Sequence, residues 1–257
     1  MRVVWLILSF VLILASSPRL NSQQPVAAPQ RDPHALQIAS RSQQAMGVYT
    51  SVPVPIRGTG LISYSPDEPQ GAIEIVCFGP RIFRTSITRG TDSYVYFTNN
   101  GQGTVSVNGK KIPLPYHNTF GQRCPYIPIH TFLGELGAVE LQLVAPASGL
   151  LDGRTTIILT GTYASPDDED LAAWATTEIE LDAQTFLPIR LRYSLRHSAN
   201  PQIVSNFEQH YSDYRVSGPF LLPYSIQTFV DGQLQSTIGV TSFEVNPTIS
   251  AQDLAVR

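Results

Sequence analysis

The chain has 257 residues, of which 42% are hydrophobic and only 14% charged, a composition that suits one compact domain or at most two small ones and excludes a disordered tail protein. Seventeen basic side chains stand against 20 acidic ones, for a formal net charge of −3, and the only lysines are Lys110 and Lys111. No positive surplus exists to neutralise phosphates, so nucleic acid is not an expected partner.

Residues 1–22 have the three parts of a secretory signal peptide: a positive charge at Arg2, an apolar run from Val3 to Ala15 broken only by Ser9, and a short polar stretch with small residues. The apolar run falls well short of the roughly 20 residues that cross a bilayer. Cleavage after Ser22 avoids a cut next to Pro18 and would change the net charge from −3 to −5 by removing Arg2 and Arg19. No cysteine follows the run to carry a lipid anchor, so a periplasmic or secreted protein without a stable membrane span is expected. Residues 23–31, rich in Gln, Pro and Ala, read as a polar linker, and residues 32–257 as a single folded domain.

Asp32 is a natural N-cap with Pro33 at the first helical position, and good helix formers run from His34 to Met46 until Gly47 stops them. Leu36, Ile38, Ala39, Ala45 and Met46 form a modest apolar stripe. From Val52 onward the pattern changes to short apolar or alternating runs bounded by turn signals. Strands are predicted at Ile56 to Tyr64, Gly71 to Phe78, Ile82 to Arg89, Ser93 to Thr98, Gly103 to Val107 and Lys110 to Leu114, the last two joined by the hairpin dipeptide Asn108-Gly109. Residues 115–137 read as either loop or a short helix near Ile129 to Leu136. Strands resume at Ala138 to Val144 and Thr155 to Tyr163.

Ser165 to Asp170 followed by Leu171 to Trp174 reads as a capped helical turn with acids at its favourable end. The acidic run lacks the alternate spacing and the glycine of a calcium loop. Beyond it, Thr176 to Leu181 and Phe186 to Arg196 flank the turn Asp182 to Thr185, and the second arm alternates Ile189, Leu191, Tyr193 and Leu195 against Arg190, Arg192, Ser194 and Arg196. The arginine face could meet an anionic partner or stay solvated. Ile203 to Val216, Phe220 to Val230 and Leu234 to Asn246 continue the meander, with Asp231-Gly232 as a further tight turn. The predicted fold class is therefore mainly β (α+β): an incomplete antiparallel β-barrel or strongly curved sheet of about ten strands, covered by the N-terminal helix and short lid helices.

Cys77 and Cys124 are the only cysteines. In an oxidising compartment they permit one disulfide closing a loop of about 47 residues; two buried thiols are the alternative, and without CxxC spacing a redox pair is not expected. No GxSxG elbow, HExxH, Walker loop or dinucleotide glycine fingerprint occurs, and the five histidines are spread along the chain. His210 and Asp213 fall on opposite faces of a strand, which argues against an acid–base pair. No cofactor, metal site or catalytic residue is predicted, and the chain reads as a non-enzyme, with a secreted hydrolase of dispersed catalytic groups as the remotest alternative.

Leu181-Asp182-Ala183-Gln184-Thr185-Phe186-Leu187-Pro188-Ile189-Arg190, then Tyr211-Ser212-Asp213-Tyr214-Arg215 with Gly218 and Leu222-Pro223, then Phe243-Glu244-Val245-Asn246, resemble the D-x-x-T-x-L-P hairpin, the Y-x-D-Y/F segment and the F-x-V-N ending of the periplasmic lipoprotein-carrier (LolA/LolB/RseB-like) superfamily. The resemblance covers about 75 residues and speaks to fold before activity. It implies an incomplete antiparallel β-barrel wrapped round helices, with an apolar cavity that in the carriers holds lipoprotein acyl chains. On that basis Leu133 and Leu136 from the middle loop, and Leu171 and Trp174 from the acidic-capped turn, become lid or cavity residues, with plain core packing as the alternative. The expected function is an exported carrier or binder of a lipid, lipoprotein acyl chain or other apolar ligand. The alternative is an envelope sensor or scaffold of the same fold that binds a protein partner.

Overall fold

A computed structural model describes residues 30–47, 54–64, 69–165, 169–250 and 254. The expected signal peptide, most of the linker, and Pro166 to Asp168 of the acidic helix start lie outside the described residues.

Helix α1, Pro33–Met46, forms where the capping residues place it. The Asp32 carboxylate accepts from the Ala35 amide at 2.8 Å, Pro33 occupies a position whose N–H would have no partner, and Gly47 ends the helix at φ 125°. That cap contributes about 1 kcal/mol. The buried stripe is Ala35, Ile38, Ala39, Ser42 and Met46, with Leu36 and Ala45 at its margins. Ahead of the helix, Gln30 and Arg31 are already tied to the sheet: the Leu143 amide donates to the Gln30 carbonyl, and Arg31 donates to the carbonyls of Leu141 and Leu136.

Fourteen strands follow: β1 Pro55–Ser63, β2 Gly71–Phe78, β3 Ile82–Arg89, β4 Asp92–Asn99, β5 Gln102–Val107, β6 Lys110–Pro113, β7 Leu141–Leu143, β8 Ala147–Leu151, β9 Arg154–Tyr163, β10 Thr177–Asp182, β11 Pro188–His197, β12 Asn200–Ser217, β13 Phe220–Val230 and β14 Gln233–Val245. They make one antiparallel sheet in the order β6-β5-β4-β3-β2-β1-β14-β13-β12-β11-β10-β9-β7, with β8 beside β7 on the same edge of β9. The first and last of the described strands thus pair with each other in the middle of the sheet, Ile56 opposite Val245, and the sheet stays open at β6 and at β7 and β8. The count exceeds the expected ten because β5 to β8, only three to six residues each, all join the ladder. Ala147–Leu151 has no predicted counterpart; its run Ala-Ser-Gly-Leu-Leu neither alternates nor carries a β-branched residue.

Turn chemistry sets the register. Asn108 and Gly109 (φ 50° and 82°) and Asp231 and Gly232 (φ 49° and 80°) take the positive φ values that two-residue hairpins require. The D-x-x-T segment is an aspartate-closed turn: Asp182 Oδ1 accepts from the Gln184 amide at 3.0 Å, the Thr185 amide at 2.8 Å and the Thr185 hydroxyl at 3.0 Å. The Thr185 amide, the largest influence, outweighs the opposing effect of burial and, with smaller help from the Thr185 hydroxyl, the Gln184 amide and nearby Arg154, holds the Asp182 carboxyl below its ordinary 3.8. A carboxyl lowered by folding stabilises the fold above its unfolded pKa and loses that contribution as the pH falls through its folded pKa. Carboxyl NMR titration should therefore place Asp182 below 3.8, and the stability gap between the parent and Asp182→Ala should narrow as the pH drops under that value. A gap of constant size from pH 7 to pH 2 would contradict this account.

Candidate functional site

The concave side of the sheet is filled by the chain itself. Between β6 and β7 the backbone makes three short 3-10 turns, Tyr116–Asn118, Pro128–His130 and Phe132–Glu135, and Cys124, Ile127, Ile129, Phe132 and Leu133 among them are wholly buried. Helix α1 packs against the last of these turns and against β13, with Gln43 donating to the Leu133 carbonyl. The Cys77–Cys124 disulfide joins β2 to this inner segment. Tyr211 donates to the Pro125 carbonyl at 2.5 Å and Tyr96 to the Gln122 side chain. Burial pushes the Tyr211 phenol well up, so it remains a donor. His130, completely enclosed, is pushed down to about 4 by loss of solvent, despite a hydrogen bond with the Val54 backbone, and is neutral at pH 7.

At one rim of the sheet a small chamber and a cleft lie side by side. Strand β10 begins at Thr177, whereas β11 continues past it to His197, and this stretch of β11 edge is closed by a side chain: the Arg196 amide donates to Asn118 Oδ1 at 2.8 Å and Asn118 Nδ2 donates to the Arg196 carbonyl at 2.6 Å. One asparagine amide thus stands in for a neighbouring strand. Just before β10 lies the short helix α2, Glu169–Trp174, whose last residue roofs the rim. The Trp174 ring meets the His117 ring edge-on at 5.9 Å, and the Arg196 guanidinium sits 4.2 Å from its centroid. Beneath the indole is a chamber of about 40 Å³ bordered by Phe120, Phe132, Tyr163, Leu191 and Tyr193. Outside it is a cleft of about 350 Å³ along β10 to β12, where Phe207 stacks on Tyr193 at 5.3 Å. Trp174, Thr176, Tyr193 and Ser194 border both spaces, so the indole is part of the partition between them.

Of the four residues expected at a lid or cavity, Trp174 stands at this chamber. Leu133 is fully buried in the core, Leu171 is nearly so, and Leu136 is half-buried and gives its carbonyl to Arg31; none of these three borders the chamber or the cleft. The chamber's other walls come from β9 and β11, through Tyr163, Leu191 and Tyr193, and from residues 117–132, whose part in it no local pattern marked.

The arginine face divides in two. Arg190 donates twice to Glu180 Oε2, at 2.5 and 2.8 Å, and Glu180, only 2% exposed, also accepts from the Thr156 hydroxyl at 2.5 Å. Arg192 pairs with Glu178 at 2.9 Å, and Glu208 lies 3.4 Å from Arg190 and 2.9 Å from His210. Burial opposes ionisation of Glu208, but the His210 hydrogen bond and the nearby arginines outweigh it and lower its pKa. Arg190 and Arg192 are therefore neutralised by acids from the adjoining strands. Arg196 differs: it lies over Trp174, donates to the Pro201 carbonyl at 2.7 Å, and has no ion-pair partner among the described residues. Beside it, His117 Nε2 is buried without a hydrogen-bond partner among the described residues. No cluster of three or more metal-ligating side chains occurs among them, and no described helix is long and apolar enough to cross a membrane.

No protein-family model and no curated protein sequence matches the chain. In three dimensions it is similar to a LolA superfamily protein from Nitrosomonas europaea, at 10% sequence identity over 86% of this chain and 97% of that one, with a TM-score of 0.55. It is similar also to a putative outer membrane lipoprotein-sorting protein domain from Vibrio parahaemolyticus (7% identity, 85% and 95% covered, TM-score 0.54) and to a DUF1329 family protein from Desulfovibrio piger (9% identity, 88% and 98% covered, TM-score 0.55). At these identities the likeness is one of fold, and the fold is the LolA-like open, curved antiparallel sheet.

Proposed function

We propose that this chain, built on the LolA-like fold, is an exported, non-enzymatic carrier or binding protein for a lipid, a lipoprotein acyl chain or another apolar ligand. The observation that carries the reading is the largely apolar chamber under Trp174, set beside a much larger cleft with Trp174 among the residues between them. With the middle of the sheet filled by residues 116–135, the ligand site is this rim rather than the centre of the curl. A chamber of about 40 Å³ holds no acyl chain as it stands, so uptake requires the indole to swing out and join chamber to cleft. The Arg196 contact that opposes this motion is worth only about 0.5–1 kcal/mol at an exposed site. Burial of acyl surface returns about 0.8 kcal/mol per methylene, and a partner offering a better apolar site would drive release.

The two tryptophans are Trp5 and Trp174, so removal of residues 1–22 leaves Trp174 as the single tryptophan, at the proposed gate and excitable apart from the tyrosines. In protein exported and processed by the cell that makes it, titration with a fluorescent fatty acid should give saturable energy transfer from Trp174, and lipid extraction with native mass spectrometry should find bound lipid. No co-purified lipid together with no saturable binding would overturn the carrier reading. The sensor or scaffold reading would then take its place, favoured by the exposed Val139, Val144 and Leu150 along the β7 and β8 edge.

A further inference from the structure

We infer that the rim site selects single-chain amphiphiles with an anionic headgroup, held at the chamber mouth by Arg196 and His117 while the acyl chain enters beneath Trp174. This deepens the carrier reading and rests on it.

The first argument is charge balance. The cleft outside Trp174 carries Glu178, Glu208, Arg192 and Arg196, and with Arg190 just beyond it every one of these except Arg196 is matched: Arg192 with Glu178, and Glu208 with Arg190 and His210. The one cleft charge without a described counter-ion therefore lies over Trp174, the side chain that stands between the cleft and the chamber. A positive charge in that position attracts an anion that brings an apolar tail with it.

The second argument is hydrogen bonding. His117 Nε2 is buried, has no partner among the described residues, and belongs to a ring that borders the chamber and touches the same indole as Arg196. Buried polar atoms are nearly always satisfied, and a ligand oxygen at the mouth would satisfy this one. The third argument is rigidity. The two Asn118 hydrogen bonds fix the Arg196 backbone, and the guanidinium is braced by the Pro201 carbonyl, so the cation is positioned before ligand arrives. Guanidinium against an anionic oxygen is the stronger, charge-assisted class of hydrogen bond.

Calorimetry with dodecanoate, dodecanol and dodecyltrimethylammonium, each below its micelle concentration, tests headgroup choice at constant chain length. Dodecanoate should bind about tenfold tighter than dodecanol, equivalent to about 1.4 kcal/mol, and the cationic amphiphile should bind most weakly. Arg196→Gln should bring dodecanoate close to the affinity of dodecanol without weakening dodecanol itself, since the ring contact it removes only holds the indole shut, and adding His117→Phe should remove any preference that remains. Should Arg196→Gln lose dodecanol as well, Arg196→Lys decides: a preference retained with the charge upholds the inference, and a lost one overturns it. Equal affinity for dodecanoate and dodecanol in the parent, or a preference that survives the double change, also overturns it while leaving the carrier reading intact. Failure of all three amphiphiles to bind removes the carrier reading itself.

Discussion

Replacing Glu135 by alanine is expected to lower the stability of the protein by about 3–5 kcal/mol, among the largest losses a single substitution can cause here. Glu135 is 11% exposed and is the shared acceptor of three groups from distant parts of the chain: Arg81 on one carboxylate oxygen, Arg123 on the other, and the Tyr163 hydroxyl at 2.7 Å. Arg123 is 10% exposed, and its guanidinium lies 3.7 Å from the Tyr163 ring centroid. Burial keeps the Tyr163 phenol well above its ordinary pKa, so its proton stays in place to be donated. Without Glu135, Arg81 retains Glu140 and access to water, but Arg123 becomes a buried cation with only the Gln122 carbonyl and an aromatic face. Urea unfolding at pH 7 should show the loss as a lower midpoint with an unchanged slope. Glu135→Gln, which preserves shape and an acceptor oxygen, should cost less than alanine. The paired change Arg123→Met with Glu135→Leu should recover most of the loss, because removing both charges leaves neither unpaired. A loss below about 1 kcal/mol for Glu135→Ala would show that water reaches the cluster and that it behaves as a surface pair.

That cluster also marks the boundary of what the amino-acid order discloses. Helix α1 and strands β2, β3 and β13 fall at their expected positions because each is bounded by residues with one dominant backbone preference: Asp32, Pro33 and Gly47 around the helix, and Gly, Pro or Asp-Gly at the strand ends. The expected Ala138 to Val144 strand shrinks to Leu141–Leu143, where three residues meet the end of β9. Side-chain alternation correctly groups Arg190, Arg192 and Arg196 on one face, since the period of two is local. It cannot reveal that two of them are neutralised, because Glu178, Glu180 and Glu208 become their neighbours only through the register of β10 and β12. Arg81, Arg123, Glu135 and Tyr163 meet across separations of 12 to 54 residues, in part from an inner segment with no repeating pattern. Trp174 is visible from its place at the end of a capped turn, whereas the Asn118 clamp on Arg196 spans 78 residues and has no sequence signal at all.

The inner segment is also where breaking the disulfide should be felt most. Cys77 and Cys124 are both wholly buried, 47 residues apart, and joined in the structure, and the Cys124 amide donates to the Pro80 carbonyl at 3.1 Å. Closing a loop of that length restricts the unfolded chain by about 4 kcal/mol in the chain-entropy account. Reduction, or Cys77→Ala with Cys124→Ala, should therefore lower stability by about 3–5 kcal/mol and the melting temperature by about 10 °C for a domain of this size. Buried sulfurs are shielded from attack, so reductant alone should act slowly and only as fast as the protein opens, whereas reductant with sub-denaturing urea should act quickly. The loss need not be uniform. Strands β12 and β13 share a long ladder, from Phe207 opposite Val230 to Ser217 opposite Phe220, and their amides should lose hydrogen-exchange protection only as far as global stability falls. Residues 124–135 have no ladder of their own, being held by the disulfide, the Tyr211 bond to Pro125, the Gln43 bond to Leu133 and the Glu135 cluster. Their amides should exchange faster by more than the global loss, and the chamber they wall with Phe120 and Phe132 should lose its binding first. Uniform loss of protection would mean that the segment unfolds only with the sheet, and an unchanged melting temperature on reduction would contradict the assigned role of the bridge.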